Sequence, residues 1–303
     1  MPAARKQVTF SVPKDTVGPV TVSITLLGTG SPLPSPDRAG PATLVRAGDA
    51  TLLVDCGRGV VMRLAAAGTL PVGLTAVLLT HLHSDHITDL NDLVTTHWVM
   101  SPEPAPLRVV GPPGTRQVVD AVLAMLALDQ RYRLDHHDDL TGPPQVEVTE
   151  VGSGDTLDLA GATVVVHATD HRPVTPTVGY RVEHGGAVAA LAGDTVPCAG
   201  VDALCAGADL YVQTVIRADL VRALPNRRIQ DILDYHSTVE QAAATATRAG
   251  ARTLVLTHYV PHLAPGAEDE WRALAAAHFA GPIVLGDDLT TVTVGEPAPV
   301  PGP

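Results

Sequence analysis

The densest coordination chemistry in the chain lies in Leu79-Thr-His81-Leu-His83-Ser-Asp85-His86, with three imidazoles and one carboxylate within six residues. An apolar run, residues 75–79 (TAVLL), leads into it, and a helix is expected from Ile87 onward. Alternate residues of an extended segment point the same way, so His81 and His83 can reach one cation together. Asp85 and His86 sit where the chain turns toward the helix and can serve a second cation beside the first. Imidazole nitrogen and carboxylate oxygen are the donors that zinc, iron and manganese accept. A surface loop that merely happens to contain histidines is the plain alternative. It does not account for four donor-type residues in six directly after an apolar strand.

The elements around this cluster follow from hydrophobic period and turn signals. Strands are expected at 20–27, 42–47, 50–55, 75–79, 107–110, 145–150, 156–159, 162–168, 178–183, 187–192, 208–213, 252–256 and 282–285. Helices are expected near 59–67, 87–99, 115–128, 199–206, 237–249 and 268–278, with a charged surface loop over 129–142. The short strand 75–79 is apolar throughout, which fits burial on both faces. A strand-rich half with few helices is followed by a similar half, and no composition break marks a linker. That order fits an α/β fold in which two sheets pack face to face with helices outside, an αβ/βα sandwich of four layers. Residues 1–295 are read as one domain and 296–303 (EPAPVPGP from Glu296) as a disordered tail.

Composition bounds the function classes. The chain has 303 residues, 45% hydrophobic and 17% charged, enough for a large core. No run of about 18 apolar residues is present and the first ten residues lack a signal-peptide core, so a cytoplasmic protein without a membrane span is expected. Cys56, Cys198 and Cys205 are odd in number, lack metal-site spacing, and are read as reduced and buried. The formal net charge is −12. Arginines cluster locally at Arg131-Tyr-Arg133 and at Arg222, Arg227 and Arg228, but the overall balance disfavours a large polyanionic partner.

These motifs resemble the metallo-β-lactamase superfamily, and within it the ribonuclease Z-like and arylsulfatase-like branch. The resemblance runs from Gly28-Thr-Gly30 to Gly286-Asp287-Asp288. It implies that Asp55, in Leu53-Val-Asp55-Cys-Gly57, orients the ligand loop from behind. His171, before Gly179-Tyr-Arg, is the next implied ligand; His167 competes but lies in an apolar strand run. Asp194, in Ala192-Gly193-Asp194-Thr195, is the implied bridge between two cations, and His258, in Leu256-Thr-His258-Tyr259, the last ligand. His81, His83 and His171 would hold one cation and Asp85, His86 and His258 the other, with Asp194 shared. Two divalent ions are implied, zinc first, with manganese or iron as alternatives. Asp234-Tyr-His236-Ser-Thr238 resembles the His-Ser-Thr segment of ribonuclease Z-like enzymes, which makes His236 a catalytic residue beside Asp85. The resemblance also implies a homodimer.

The expected chemistry is hydrolysis by an activated water, with Asp85 taking its proton and His236 assisting the leaving group or the developing charge. Two departures from the resemblance argue against transfer-RNA processing. Gly179-Tyr-Arg-Val-Glu183 reaches Gly193-Asp194 within about ten residues, leaving no room for the tRNA-clamping arm. The His-Glu-Ala-Thr segment is matched only by Gln213-Thr-Val-Ile216, so its glutamate is missing and Asp234 is the available substitute. A phosphodiesterase acting on small esters is therefore expected, with an arylsulfatase or lactonase next and a ribonuclease Z third. A metal-containing binding protein without turnover is the alternative from another class. His236 and the absence of any Cys-x-x-Cys pair favour the hydrolase.

Overall fold

The computed structural model of the chain describes residues 9–12 and 22–294. The tail read at 296–303 and the first ten residues fall outside the described residues, apart from Thr9 and Phe10. In chain order the strands are β1 (Thr9–Val12), β2 (Val22–Gly28), β3 (Ala42–Ala47), β4 (Ala50–Val54), β5 (Ala76–Leu78), β6 (Leu107–Gly111), β7 (Val146–Glu150), β8 (Thr156–Leu159), β9 (Ala162–Ala168), β10 (Val178–His184), β11 (Ala187–Leu191), β12 (Leu210–Ile216), β13 (Thr253–Val260), β14 (Ile283–Leu285) and β15 (Thr290–Val294).

They form two sheets, with orders β1-β15-β2-β3-β4-β5-β6-β7 and β14-β13-β12-β11-β10-β9-β8. In each sheet an antiparallel stretch passes into a parallel one. β2, β3 and β4 are antiparallel, then β4 to β7 run parallel. β8 to β11 are antiparallel, then β11 to β14 run parallel. The sequence sets this split. β5, β12 and β13 are buried at every position, as parallel strands covered on both faces must be. β9 alternates, with Ala162, Val164 and Val166 inward and Thr163 exposed.

Ile24, Val45, Leu52 and Leu78 of the first sheet meet Val164, Tyr180, Val212 and Val255 of the second in one apolar core. Outside the first sheet, Val60, Leu64, Leu90, Leu93 and Val119 of three helices pack on Leu44, Leu53, Val77 and Val109. Outside the second, Val201, Leu204, Ala242, Ala246 and Trp271 pack on Tyr211 and Leu254. Four layers, helix–sheet–sheet–helix, result, as expected.

Several boundaries differ from expectation. Residues 127–136 are a helix, Ala127–His136, not a loop. None of its residues is buried, so it carries no apolar stripe to read; an Asp129–Arg133 pair one turn apart supports it instead. A one-turn helix, Ser84–Ile87, carries Asp85 and His86, and the helix expected after the histidine cluster is a separate element, Leu90–Met100. β13 continues to Val260, which places His258 inside the strand rather than beyond it. β15 and the short helices Ala218–Ala223 and Arg227–Gln230 were not expected.

One buried carboxylate closes the first sheet. Asp288 accepts hydrogen bonds from the Thr29 amide (3.0 Å), the Thr29 hydroxyl (2.8 Å) and the Ala39 amide (2.7 Å), and pairs with Arg63 Nε at 3.0 Å. It fastens the β14–β15 turn to the loop 29–39, which touches β13 through the Tyr259 amide. Asp288→Ala strands these donors in the interior. Stability should fall by about 3 kcal/mol, read as a lower urea midpoint at unchanged slope.

Candidate metal centre

The donors predicted from the sequence stand at the carboxyl ends of parallel strands in both sheets, the place where open sheets bind ligands. Asp55 follows β4, His81 and His83 follow β5, Asp194 follows β11, and His258 lies near the end of β13. His171 comes from the β9–β10 connection, and His236 from the segment between β12 and the helix Val239–Ala249. Asp55 (φ 62°) and His258 (φ 54°) adopt left-handed backbone, two of the four described non-glycine residues that do so. That conformation costs a non-glycine residue energy and persists where the surroundings impose it. Gly193 also has positive φ (65°), and a Cβ there would lie 2.7 Å from the Thr80 hydroxyl. Glycine is thus required beside Asp194.

Two donor groups converge, His81–His83–His171–Asp194 and Asp85–His86–His258, with the potential ligand atoms of each within 4.8 Å of one another. Asp194 Oδ2 is the hub, lying 3.4 Å from His86 Nε2, 3.5 Å from His258 Nε2 and 3.9 Å from both His81 Nε2 and His171 Nε2. His83 Nδ1 stands 3.1 Å from His81 Nε2 and 3.2 Å from His171 Nε2. Ligands about 2.1 Å from a tetrahedral cation are separated by roughly 3.4 Å, so this spacing suits donors arranged around ions. His86 Nε2 and Asp194 Oδ1 are buried without a hydrogen-bond partner, although buried polar atoms are nearly always paired. The donor set therefore fits two divalent cations.

Surrounding groups fix which nitrogen faces the centre. The Asp55 carboxylate accepts from the Thr80 amide (2.8 Å), from the Thr80 hydroxyl (2.9 Å) and from His86 Nδ1 (2.8 Å). The Thr80 hydroxyl donates to Asp55, so its oxygen accepts from His81 Nδ1 at 3.0 Å. His171 Nδ1 donates to the Tyr235 carbonyl at 2.8 Å. Each ring is thereby left with Nε2 toward the centre. Thr80 and Tyr235 are parts of the site that sequence reasoning missed. Thr80 was detectable as the residue adjoining the first histidine, whereas Tyr235 acts through its backbone and leaves no side-chain signature.

The electrostatics agree with this arrangement. Burial acts to raise the Asp194 pKa, yet His258, His86 and His236 hold it well below the usual carboxylate range. Burial acts to lower His86, yet Asp194 and Asp55 push it well above the ordinary imidazole value. The negative potential that draws a proton to His86 Nε2 draws a divalent cation more strongly. Burial lowers His81 well below its ordinary value, which keeps it a neutral donor.

His236 joins the site without belonging to either donor group. Its Nδ1 is buried, unpartnered and 3.8 Å from Asp194 Oδ2. Burial pushes its pKa down to about 3. Thr238 caps the following helix in a reciprocal capping box with Gln241, and Ser237 Oγ donates to the Thr195 carbonyl at 2.7 Å. No hydrogen bond joins Asp234 to His236 among the described residues. Gln213 instead braces the Asp194 loop, its amide donating to the Gly193 carbonyl at 3.1 Å. His167 lies on β9, outside both groups. A cavity of about 290 Å³ between Trp98–Ala105 and Asp139–Gln145 contains none of the donors. Cys56 and Cys205 are buried free thiols as expected, while Cys198 is half-buried.

Residues 50–259 match the β-lactamase superfamily domain. The chain belongs to the β-lactamase superfamily. Relatives from Mycolicibacterium paratuberculosis and Mycobacterium bovis, both named ribonuclease Z, are each 58% identical to it. The alignments cover 91% and 90% of this chain and 100% and 98% of those proteins. Human tRNase Z, short form, superposes with TM-score 0.64 at 24% identity, covering 89% of this chain and 98% of that one. A metallo-β-lactamase-fold protein from Bacillus subtilis superposes with TM-score 0.68 at 22% identity, covering 90% and 99%. The chain is a metal-dependent hydrolase of ester bonds, and its fold implies a dinuclear divalent-metal site. Among the described residues no helix is long and apolar enough to cross a membrane.

The expectation that a large nucleic acid is an unlikely partner is overturned by the relatives' name, that of an RNA-cleaving enzyme. Its two premises fail for physical reasons. A relative of that name aligns over its whole length across 279 residues, 91% of this chain, so the absence of a long arm does not separate the chain from it. Net charge sums over the whole molecule, whereas a polyanion responds to the local arrangement of charge around its binding face.

Asp55→Ala removes no donor from either group but frees His86 and Thr80 to turn. Metal affinity should fall by about 10- to 100-fold, measured by competition with a chromophoric chelator, while an unchanged affinity would show that Asp55 does not organise the site.

Proposed function

We propose that this protein is a ribonuclease Z, a metal-dependent endonuclease that hydrolyses one phosphodiester bond of precursor transfer RNA to form its 3′ end. The observation that carries the reading is the end-to-end 58% identity to proteins of that name. The convergence of His81, His83, Asp85, His86, His171, Asp194 and His258 on one pocket supports it. In this reading His81, His83 and His171 would hold one cation and Asp85, His86 and His258 the other, with Asp194 available to both. Five imidazoles and two carboxylates suit zinc. Bound there, two divalent cations supply a water acidic enough to ionise near neutral pH and positive charge for the phosphate oxygens.

The protein's own groups do the rest. Asp85, with Oδ2 3.3 Å from His258 Nε2, orients the water and takes its proton. His236 is neutral at physiological pH and offers an N–H hydrogen bond to an oxygen that gains charge in the transition state. Asp55 and Thr80 keep the rings of His81 and His86 in place.

Two outcomes follow. The purified protein should cut a precursor tRNA with a 3′ trailer once, at the end of the acceptor stem; hydrolysis of p-nitrophenyl esters with the precursor left intact would overturn the RNA reading. His236→Ala should retain the metal content of the parent while kcat on that precursor falls about 10²-fold or more. Loss of metal from that variant would mean that His236 is itself a ligand.

A further inference from the structure

Both lysines, Lys6 and Lys14, lie outside the described residues, so the described cationic side chains other than histidine are all arginines. Most are held within the protein, as Arg63 is by Asp288, Arg217 by Asp219 and Arg248 by Asp202. Among the described residues five guanidinium groups make no hydrogen bond or ion pair: Arg58, Arg131, Arg222, Arg227 and Arg228. Three of the five fall within seven residues, all exposed, on the segment that runs from β12 to His236.

That segment is a fixed strap. At one end the Arg217 amide donates to the Val260 carbonyl at 2.8 Å, and the Arg217 side chain grips Asp219. At the other end the Tyr235 carbonyl holds His171, and the Tyr235 ring lies 5.1 Å from the His171 ring. Between them Ile229, Ile232 and Leu233 pack against Ile216, Val221 and Val260. Gln230 ties the two short helices together by donating to the Arg222 and Leu224 carbonyls. With the apolar side turned inward, the arginines project from the other side. The strap's carboxylates are Asp219, held by Arg217, and Asp231 and Asp234, which lie beyond the arginines toward His236. From helical rises the backbone of Arg228 is within about 20 Å of that of His236, a span of a few nucleotides.

We propose that Arg222, Arg227 and Arg228 form the contact for the RNA phosphate backbone, holding the stem while its 3′ end enters the metal pocket. The inference rests on the ribonuclease reading above. A guanidinium fork pairs with phosphate bidentately, and exposed cations without carboxylate partners bind a polyanion without first breaking an internal ion pair. The contact is independent of base sequence, as required of an enzyme meeting many different stems.

The test compares Arg222→Gln/Arg227→Gln/Arg228→Gln with a control of equal charge change, Arg108→Gln/Arg116→Gln/Arg131→Gln. RNA binding is measured by fluorescence anisotropy across a salt series, separately from cleavage. The strap variant should bind a precursor tRNA at least tenfold more weakly, with the slope of log K against log salt reduced by about two. Its KM should rise while kcat at saturation holds, and the control should behave as the parent. Equal losses in the two variants, or none in the strap variant, would overturn the proposal. If the parent binds the RNA through the strap yet does not cut it, the ribonuclease reading fails while the binding surface stands. A parent that does not bind RNA at all sinks both.

Discussion

The structure depends most on one buried carboxylate that touches no cation itself. Asp55 is held in left-handed backbone at the end of β4 and is almost inaccessible to solvent. A buried charge is costly unless hydrogen bonds satisfy it, and Asp55 satisfies its own by gripping the loop that follows β5. The Thr80 amide and hydroxyl and the His86 ring all donate to it, and through Thr80 it also sets His81. Two of the converging rings are thus aimed by one residue on the neighbouring strand. The apolar strands β4 and β5 hold that geometry because both are packed between the inter-sheet core and the outer helices. On the facing sheet Gly193 and Gln213 do the equivalent work for Asp194. The site is a property of paired strand ends, and precision there is bought by the core beneath it.

Much of this was legible in the sequence. Four donors fall in one hexapeptide, so their types and spacing survive in one dimension, whereas His171, Asp194 and His258 are far apart in sequence and were legible only through the resemblance to a known family. The two-sheet architecture was legible because fully apolar strands and alternating strands differ in pattern. What could not be read depended on tertiary contact. His258 lies inside β13 because that strand continues past a register shift opposite Thr214 and Ile216, which no local pattern announces. The helix Ala127–His136 has no buried face, so its charge-rich sequence reads as a loop. β15 is a run of threonine and valine whose partners, β1 and β2, are remote in sequence. The role of Tyr235 belongs to a carbonyl group.

The substrate was the least legible feature, and the reason is electrostatic. A net charge of −12 is a whole-molecule sum. It does not say where on the surface each sign of charge lies. What a polyanion meets is a local arrangement, and exposed Arg222, Arg227 and Arg228 are clustered on the segment that leads to His236. The same fold and donor set can serve different esters, so discrimination lies in the rim rather than in the metal ligands. Structural likeness at 22–24% identity speaks for the fold alone; end-to-end likeness to named relatives is what turns the reading toward RNA.

The central claim is that these strand ends build one dinuclear centre. Anomalous diffraction from crystals of the zinc-loaded protein, recorded above and below the zinc edge, tests it most directly. The account predicts two peaks, one among His81, His83 and His171 and one among Asp85, His86 and His258, with Asp194 between them. A single peak, or two peaks that leave Asp194 uncoordinated, would contradict it.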